Sequence, residues 1–337
     1  MSTQKILALQ FKYFGDAVLL TPALRALRAQ FPQAEIHLLI PAEIAPLFEH
    51  LPWLTRLWPM PRRRGRASLG ETLPLLRALR REGFDRSVDF ASNDRGAILS
   101  RLAGARQRLG WDEKGGFLGR RFCYTQRVAP AGESQYEAGR LAHLLSGWQV
   151  PAPESLELEI GADPALAAAA AALLPQRGLV CHLAASQPNR QWPVGRWAEL
   201  CRLAAAAGMP LVFTTAAGAR EQALTEELKQ ILPGAPVLPP VPQLALFLAV
   251  LKRAGAFISG DTGPLHFAAG LGVPTISLFG PSDPARFAPR GEKHRYLKAA
   301  HCACGPGESR CVNAEHCLAS ITAEQVFAAL PKAFTAE

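Results

Sequence analysis

Two series of short apolar runs, each followed by a segment whose apolar residues recur at helical spacing, dominate this chain. A short apolar run between turn residues reads as a strand buried on both faces. Strands that alternate with helices need crossover connections, and so a parallel sheet covered on both sides. The first series reads as strand Lys5–Phe11, helix Ala17–Gln30, strand Glu35–Ile40, short helix Ala42–His50, helix Glu71–Glu82, strand Arg86–Phe90 and helix Arg95–Leu102. The composition shifts at Pro151-Ala-Pro-Glu. Beyond it, Pro164–Leu174 is nearly all Ala and Leu, with Asp163 placed to cap it and Pro164 suited to a first helical position. The second series reads as strands at 179–183, 211–215, 256–259 and 275–279, with helices at 194–207, 221–232, 244–253 and 264–271. Two Rossmann-like units follow, expected over 1–160 and 161–337, with a last helix that could pack back on the first unit. A chain of 337 residues has room for both.

Charge separates the two halves. Residues 1–150 hold 22 Lys and Arg against 13 Asp and Glu, whereas residues 151–337 hold 15 of each, so the whole formal net charge of +9 lies in the first half. Arg62, Arg63, Arg64 and Arg66 form its densest run and Arg120 and Arg121 a second pair. Such a half either meets something anionic or is a solvated face of an Arg-rich protein. Nucleic acid is not expected, because no recognition motif accompanies the charge. No apolar run reaches the roughly 18 residues of a membrane span, and the start Met1-Ser-Thr-Gln-Lys lacks a signal-peptide pattern, so a cytoplasmic protein is expected. Neither a Walker A loop nor Gly-x-Gly-x-x-Gly occurs, which argues against P-loop and simple dehydrogenase chemistry.

Four loops carry the chemistry. In Asp261-Thr262-Gly263-Pro264-Leu265-His266, a strand ends and a helix begins. Free N–H groups at that helix start favour a phosphate, with Gly263 allowing close approach and His266 in the first turn, although an ordinary capped helix uses the same residues. Asp16 lies just past the first strand, where it could cap a helix or act as a general base. Ser186 and Arg190 share a loop that could hold phosphate or could simply be closed by Trp192-Pro193. Glu221 could accept from ribose hydroxyls or could merely open a helix, where a carboxylate is favoured anyway.

Taken together, Gly15-Asp16 after the first strand, the basic-x-Trp-Pro segment at 190–193, and Asp261-Thr-Gly-Pro-x-His with its trailing Val273-Pro-x-x-x-Leu-Phe-Gly-Pro-Ser resemble glycosyltransferase family 9 over roughly residues 5–330. These are the ADP-heptose:lipopolysaccharide heptosyltransferases. The Phe14-Gly-Asp-Ala-Val-Leu-Leu start and the C-terminal Cys-x-Cys region look closest to the heptosyltransferase III-like branch. The resemblance implies a GT-B fold, α/β with two doubly wound parallel-sheet domains facing across a cleft, and an inverting, metal-independent transfer without a cofactor. It implies Asp16 as the base on the acceptor hydroxyl. It also implies Ser186, Arg190, Glu221, Asp261, Thr262, Gly263, Pro264 and His266 around an ADP-heptose donor, with Arg190 in place of the family's usual lysine. Lipopolysaccharide core is anionic, so a basic acceptor half is physically sensible. Arg62, Arg63, Arg64 and Arg66 are expected to meet that acceptor, and the same charge favours peripheral contact with an anionic inner-membrane surface. Two alternatives are a GT-B enzyme with another nucleotide sugar and a non-enzymatic binding protein for anionic glycan or nucleic acid.

Seven cysteines, an odd number, do not make a secreted disulfide framework. Cys302, Cys304, Cys311 and Cys317 crowd within sixteen residues beside His301 and His316. Free thiols, and hence no metal, are expected here, with structural zinc or a disulfide as the alternatives.

Overall fold

The computed structural model describes residues 3–12, 14–61, 69–130, 132, 135–305, 308–313 and 315–331, with nothing said of the side chains at 69 and 71. The run Arg62–Arg66 lies outside the described residues. The chain divides into two compact units, Met1–Leu156 and Glu157–Glu337.

The first unit contains β1 (Lys5–Leu9), α1 (Phe14–Val18), α2 (Thr21–Gln30), β2 (Glu35–Pro41), β3 (Arg56–Met60), α3 (Leu69–Glu82), β4 (Arg86–Asp89), α4 (Asp94–Leu102), β5 (Gln107–Trp111), β6 (Gln126–Val128) and α5 (Glu137–His143). Its sheet runs β3-β2-β1-β4-β5-β6, with every pair parallel. The order reverses direction beside β1, which is the topological switch point of a doubly wound sheet. Apart from Lys5, β1 is buried along its length. That burial explains its unbroken Ile-Leu-Ala-Leu run.

The second unit contains α6 (Ala167–Leu173), β7 (Leu179–His182), α7 (Val194–Ala206), β8 (Leu211–Thr214), α8 (Ala219–Ile231), α9 (Leu244–Lys252), β9 (Ala256–Gly260), α10 (Gly263–Gly270), β10 (Thr275–Phe279), α11 (Pro284–Phe287), β11 (His294–Lys298) and α12 (Ala323–Ala328). The sheet order is β11-β10-β9-β7-β8, again all parallel. Trp192 and Trp197 meet edge to face at 4.7 Å in its core. The indole N–H of Trp192 donates to the Ile321 carbonyl at 3.0 Å. The terminal helix α12 packs on α7 of the same unit.

The expected α/β architecture is present, with local corrections. The helix predicted over Ala17–Gln30 is two helices. Pro22 has no N–H to give to the carbonyl of Val18, and the Thr21 hydroxyl takes that carbonyl instead at 2.9 Å. The segment read as the helix Ala42–His50 is a 3-10 helix over Ala42–Leu47, with Pro46 inside it. The Ala-rich helix begins as a 3-10 turn at Pro164–Leu166, where Asp163 accepts from the Ala165 N–H at 2.9 Å as expected of a cap. No helix of the described residues is long and apolar enough to cross a membrane.

Candidate active site

In an open parallel sheet the helices start where the strands end, so every strand-to-helix loop opens on the same edge. In the second unit these are the loops after β7, β8, β9 and β10. The loop after β7 carries a one-turn 3-10 helix, Pro188–Arg190. From it Arg190 donates through Nη1 to Oδ2 of Asp261 at 3.0 Å. Asp261, just past β9, is nearly buried at 8% side-chain exposure, while Arg190 keeps 32%. A cation is thus held against the start of α10 with part of its surface free. The approach of the two loops is close. A Cβ at Gly260 would stand 2.3 Å from the Arg190 carbonyl oxygen, so only glycine fits.

Thr262 occupies the N-cap position of α10 in extended conformation, yet its side chain makes no capping bond. Pro264 stands in the first turn, where its missing N–H is harmless. Neither Asp261 nor Thr262 closes the helix end with its side chain. Pro264 has no N–H and the Leu265 N–H donates to the Thr262 carbonyl at 3.2 Å, so it is the Gly263 N–H at the helix start that is left without a side-chain acceptor from the N-cap. His266, one turn along, is buried to 4% exposure, and its Nδ1 has no partner. Burial depresses its pKa against the opposing pull of Asp261, so the imidazole is neutral at pH 7.

Buried polar atoms are almost always satisfied in folded proteins. Around this edge five are not: Asn189 Oδ1, Arg190 Nε, Thr215 Oγ1, His266 Nδ1 and Ser282 Oγ. They belong to the loops after β7, β8 and β10 and to α10. Ser282 closes the Val273-Pro-x-x-x-Leu-Phe-Gly-Pro-Ser motif but was given no role from sequence, and Thr215 was not singled out, since a threonine in a loop carries no pattern of its own. Arg220 was likewise missed. Its guanidinium donates to the carbonyls of Ala185 at 2.7 Å and Ser186 at 3.1 Å, and to Gln191 at 3.1 Å, stapling the loop that carries Arg190. Ser186 is exposed on that loop. Glu221 lies in the first turn of α8. Its carboxylate folds back over the N-cap Gly218, so close that a Cβ there would collide with it. That is the helix-opening arrangement; nothing in it reaches the Arg190–Asp261 pair.

In the first unit Asp16 lies within α1, partly exposed, and not at a cap position. Its field acts on Arg140 of α5, which is only 12% exposed. Burial works against the charge of Arg140, but Glu137, Glu113 and Asp16 outweigh it and raise the guanidinium pKa. Arg140 is gripped by Glu137 through two bonds of 2.9 and 2.7 Å and covers the ring of Trp111 at 4.9 Å.

Beside this group a recess of about 870 Å³ is lined by Trp111 through Phe122, Tyr124 and Arg127. Lys114, Arg120, Arg121 and Arg127 make it predominantly basic. The Tyr124 hydroxyl donates to Oδ2 of Asp89 at 2.7 Å. Asp89 ends β4, is fully buried, and has its pKa raised to about 6 by burial, against the Tyr124 bond. A Cβ at Gly96 would strike that carboxylate. Ser92, three residues on, holds φ at +51°, a left-handed conformation uncommon for serine. Sequence reading noted Arg120 and Arg121 but not Asp89, Tyr124 or Arg140.

The chain is similar to known proteins over most of its length. Lipopolysaccharide heptosyltransferase 2 of Salmonella typhimurium is 26% identical over 311 residues, 87% of this chain and 88% of that relative. A glycosyltransferase family 9 protein of Veillonella parvula superposes with a TM-score of 0.85 at 20% identity, covering 100% of this chain and 99% of that one. An Escherichia coli heptosyltransferase with ADP-2-deoxy-2-fluoro heptose superposes with a TM-score of 0.72 at 21% identity, covering 96% and 98%. The fold is therefore GT-B. The III-like branch is not singled out, because relatives of types 1, 2 and 3 match at 27%, 26% and 24% identity. The model of glycosyltransferase family 9 (heptosyltransferase) matches residues 72–317, and the chain belongs to that family.

Proposed function

We propose that this glycosyltransferase moves heptose from ADP-heptose to a hydroxyl of a lipopolysaccharide core acceptor, with inversion at the anomeric carbon. The observation that carries the reading is the Arg190–Asp261 pair at the uncapped start of α10, with unpartnered buried polar atoms in the loops after β7, β8 and β10 and in α10. This is chemistry suited to a nucleoside diphosphate. The choice of ADP-heptose is supported by the named ligands and activities of the relatives.

In this reading the second unit binds the donor and the first unit presents the acceptor. Asp16 takes the proton of the acceptor hydroxyl as its oxygen attacks the anomeric carbon. The bond from that carbon to the diphosphate oxygen breaks, and ADP leaves with the electron pair. Arg190 and the Gly263 N–H at the start of α10 meet the charge that develops, without a metal ion in the step. Ser186, Thr262, Gly263, Pro264 and His266 line the diphosphate and sugar, and Glu221 faces the nucleoside once it swings off Gly218. The basic recess with Arg120 and Arg121, together with Arg62, Arg63, Arg64 and Arg66, attracts the phosphates and carboxylates of the acceptor. The same charge holds the protein peripherally at the cytoplasmic face of the inner membrane. Asp16→Asn tests the assignment: ADP binding stays within about twofold, while kcat drops by about 10²–10⁴. A variant that keeps its turnover removes Asp16 from the mechanism.

A further inference from the structure

The segment between β11 and α12 folds its four cysteines into one cluster. The ligating atoms of Cys302, Cys304 and Cys317 lie within 4.8 Å of one another, and those of Cys311, His316 and Cys317 form a second such group. The Cys304 and Cys311 sulfurs are 3.7 Å apart, and all four cysteines are free thiols. An ion holding sulfur ligands at about 2.3 Å in a tetrahedron places those sulfurs about 3.8 Å from each other. A disulfide could join only two of them at a time. His316 is already engaged on both sides. Its Nδ1 accepts from the Leu318 N–H at 3.3 Å, and its Nε2 faces the Pro188 carbonyl at 3.2 Å. The ligand set is then four sulfurs, and the Cys317 N–H, 3.3 Å from the Cys311 sulfur, supports a thiolate there.

We propose that Cys302, Cys304, Cys311 and Cys317 bind one thiophilic divalent ion, zinc or ferrous iron, and that this ion braces the turn carrying Arg190. Four thiols lose four protons as the ion enters, leaving a tetrathiolate with no oxidation and no open position. Soft sulfur ligands select such ions over magnesium or calcium. This proposal departs from the free thiols expected from the sequence. The brace runs through the backbone of Glu308 and Ser309, just before Cys311. The Glu308 carbonyl accepts from Asn189 Nδ2 at 2.7 Å, and the Ser309 carbonyl from the Asn189 N–H at 3.2 Å. Asn189 is fully buried and adjoins Arg190. The ion itself does not depend on the donor reading; only its consequence for ADP does.

The test uses the full chain, purified without chelator or added metal. Elemental analysis should give about one zinc or iron per chain, and the element found decides between the two. The content should fall to near zero in Cys302→Ser/Cys304→Ser and stay unchanged in Cys123→Ser. Should the double variant fail to fold, cobalt exchange into the wild type should produce thiolate-to-cobalt charge-transfer absorption. Metal removal should raise hydrogen exchange at Asn189, Arg190 and Gln191 and weaken ADP binding several-fold. A chain that takes up no zinc or iron even when reconstituted anaerobically, or that carries a disulfide within this group, overturns the site. Unchanged exchange at 189–191 after metal removal overturns the brace. A metal-loaded chain with normal exchange protection there but no affinity for ADP would instead fault the donor reading.

Discussion

Gly260→Ala adds a single methyl group where two loops of the candidate site touch. The new Cβ would lie 2.3 Å from the Arg190 carbonyl oxygen, with the Arg190 carbonyl carbon at 3.5 Å and the Leu278 oxygen at 3.8 Å. The obstacle is backbone, so no side-chain rotation relieves it. Restoring ordinary contact requires the turn to retreat by about 1 Å. It cannot do so freely, because Asn189 is tied to the 308–309 backbone and faces Gly280 from the other side. Crowding of this kind costs about 1–3 kcal/mol. For a unit of this size that lowers Tm by about 2–12 °C. The same shift stretches the 3.0 Å Arg190–Asp261 bond beyond hydrogen-bond range. In the proposed reading the displaced Arg190 also loses its charge-assisted contact with the diphosphate, worth about 1.5–3 kcal/mol, which raises the Kd for ADP by about 10- to 150-fold. Scanning fluorimetry and calorimetric titration read both effects. Gly195→Ala in the same unit, where a Cβ meets nothing within 4 Å, serves as the control. A Gly260→Ala protein with the Tm of the wild type and unchanged ADP affinity would refute the role given to this contact.

Arg190→Ala should weaken ADP binding by about 10- to 100-fold, whereas Arg190→Lys should retain part of the affinity, as measured by the same titration. Asp89 is protonated more readily in the folded chain than in the unfolded one. Its contribution is fully present below pH 3.8 and is lost as pH rises through about 6, by roughly 3 kcal/mol in all. Asp89→Asn should therefore flatten the pH dependence of the first unit's stability between pH 4 and 6, read by urea unfolding. His182 has the opposite sign, because burial depresses its pKa to about 4. Its contribution is present above pH 6.5 and declines as pH falls toward 4, by about 2 kcal/mol between pH 7 and 5. His182→Asn should remove most of that loss from the unfolding of the second unit.

The parts of this protein that announce themselves in sequence are the ones where a single physical demand acts on neighbouring residues. The sequence reading of β10 matches the observed strand at Thr275–Phe279, because Ile276, Leu278 and Phe279 form a short apolar run and the buried Thr275 and Ser277 hydroxyls find partners on the neighbouring strand β11. The Asp261–His266 stretch was legible because a strand end, a glycine and a first-turn proline must fall in that order. The interior strand β5 and the edge strands β3, β6 and β11 were missed; in β5, Gln107 and Arg108 open the strand and hide its apolar end. Each of these edge strands is short and partly exposed, and Pro59, Gln126-Arg127 and His294-Arg295 break the apolar pattern. What escaped at the site depends on residues distant in the chain. Asp89 meets Tyr124 across 35 positions, and Arg220 reaches Ala185 across the same span. Nothing local at either end marks these pairs. Glu221 shows the converse limit: its place was read correctly, but position alone does not separate a helix-opening carboxylate from a ribose acceptor.

Calorimetric titration with ADP, UDP and GDP in parallel addresses the central claim most directly, since the donor site is defined by what it holds. The account predicts that ADP and ADP-heptose bind and that UDP and GDP bind far more weakly or not at all. Tighter binding of UDP or GDP, or no binding of any nucleotide to the folded chain, would contradict it.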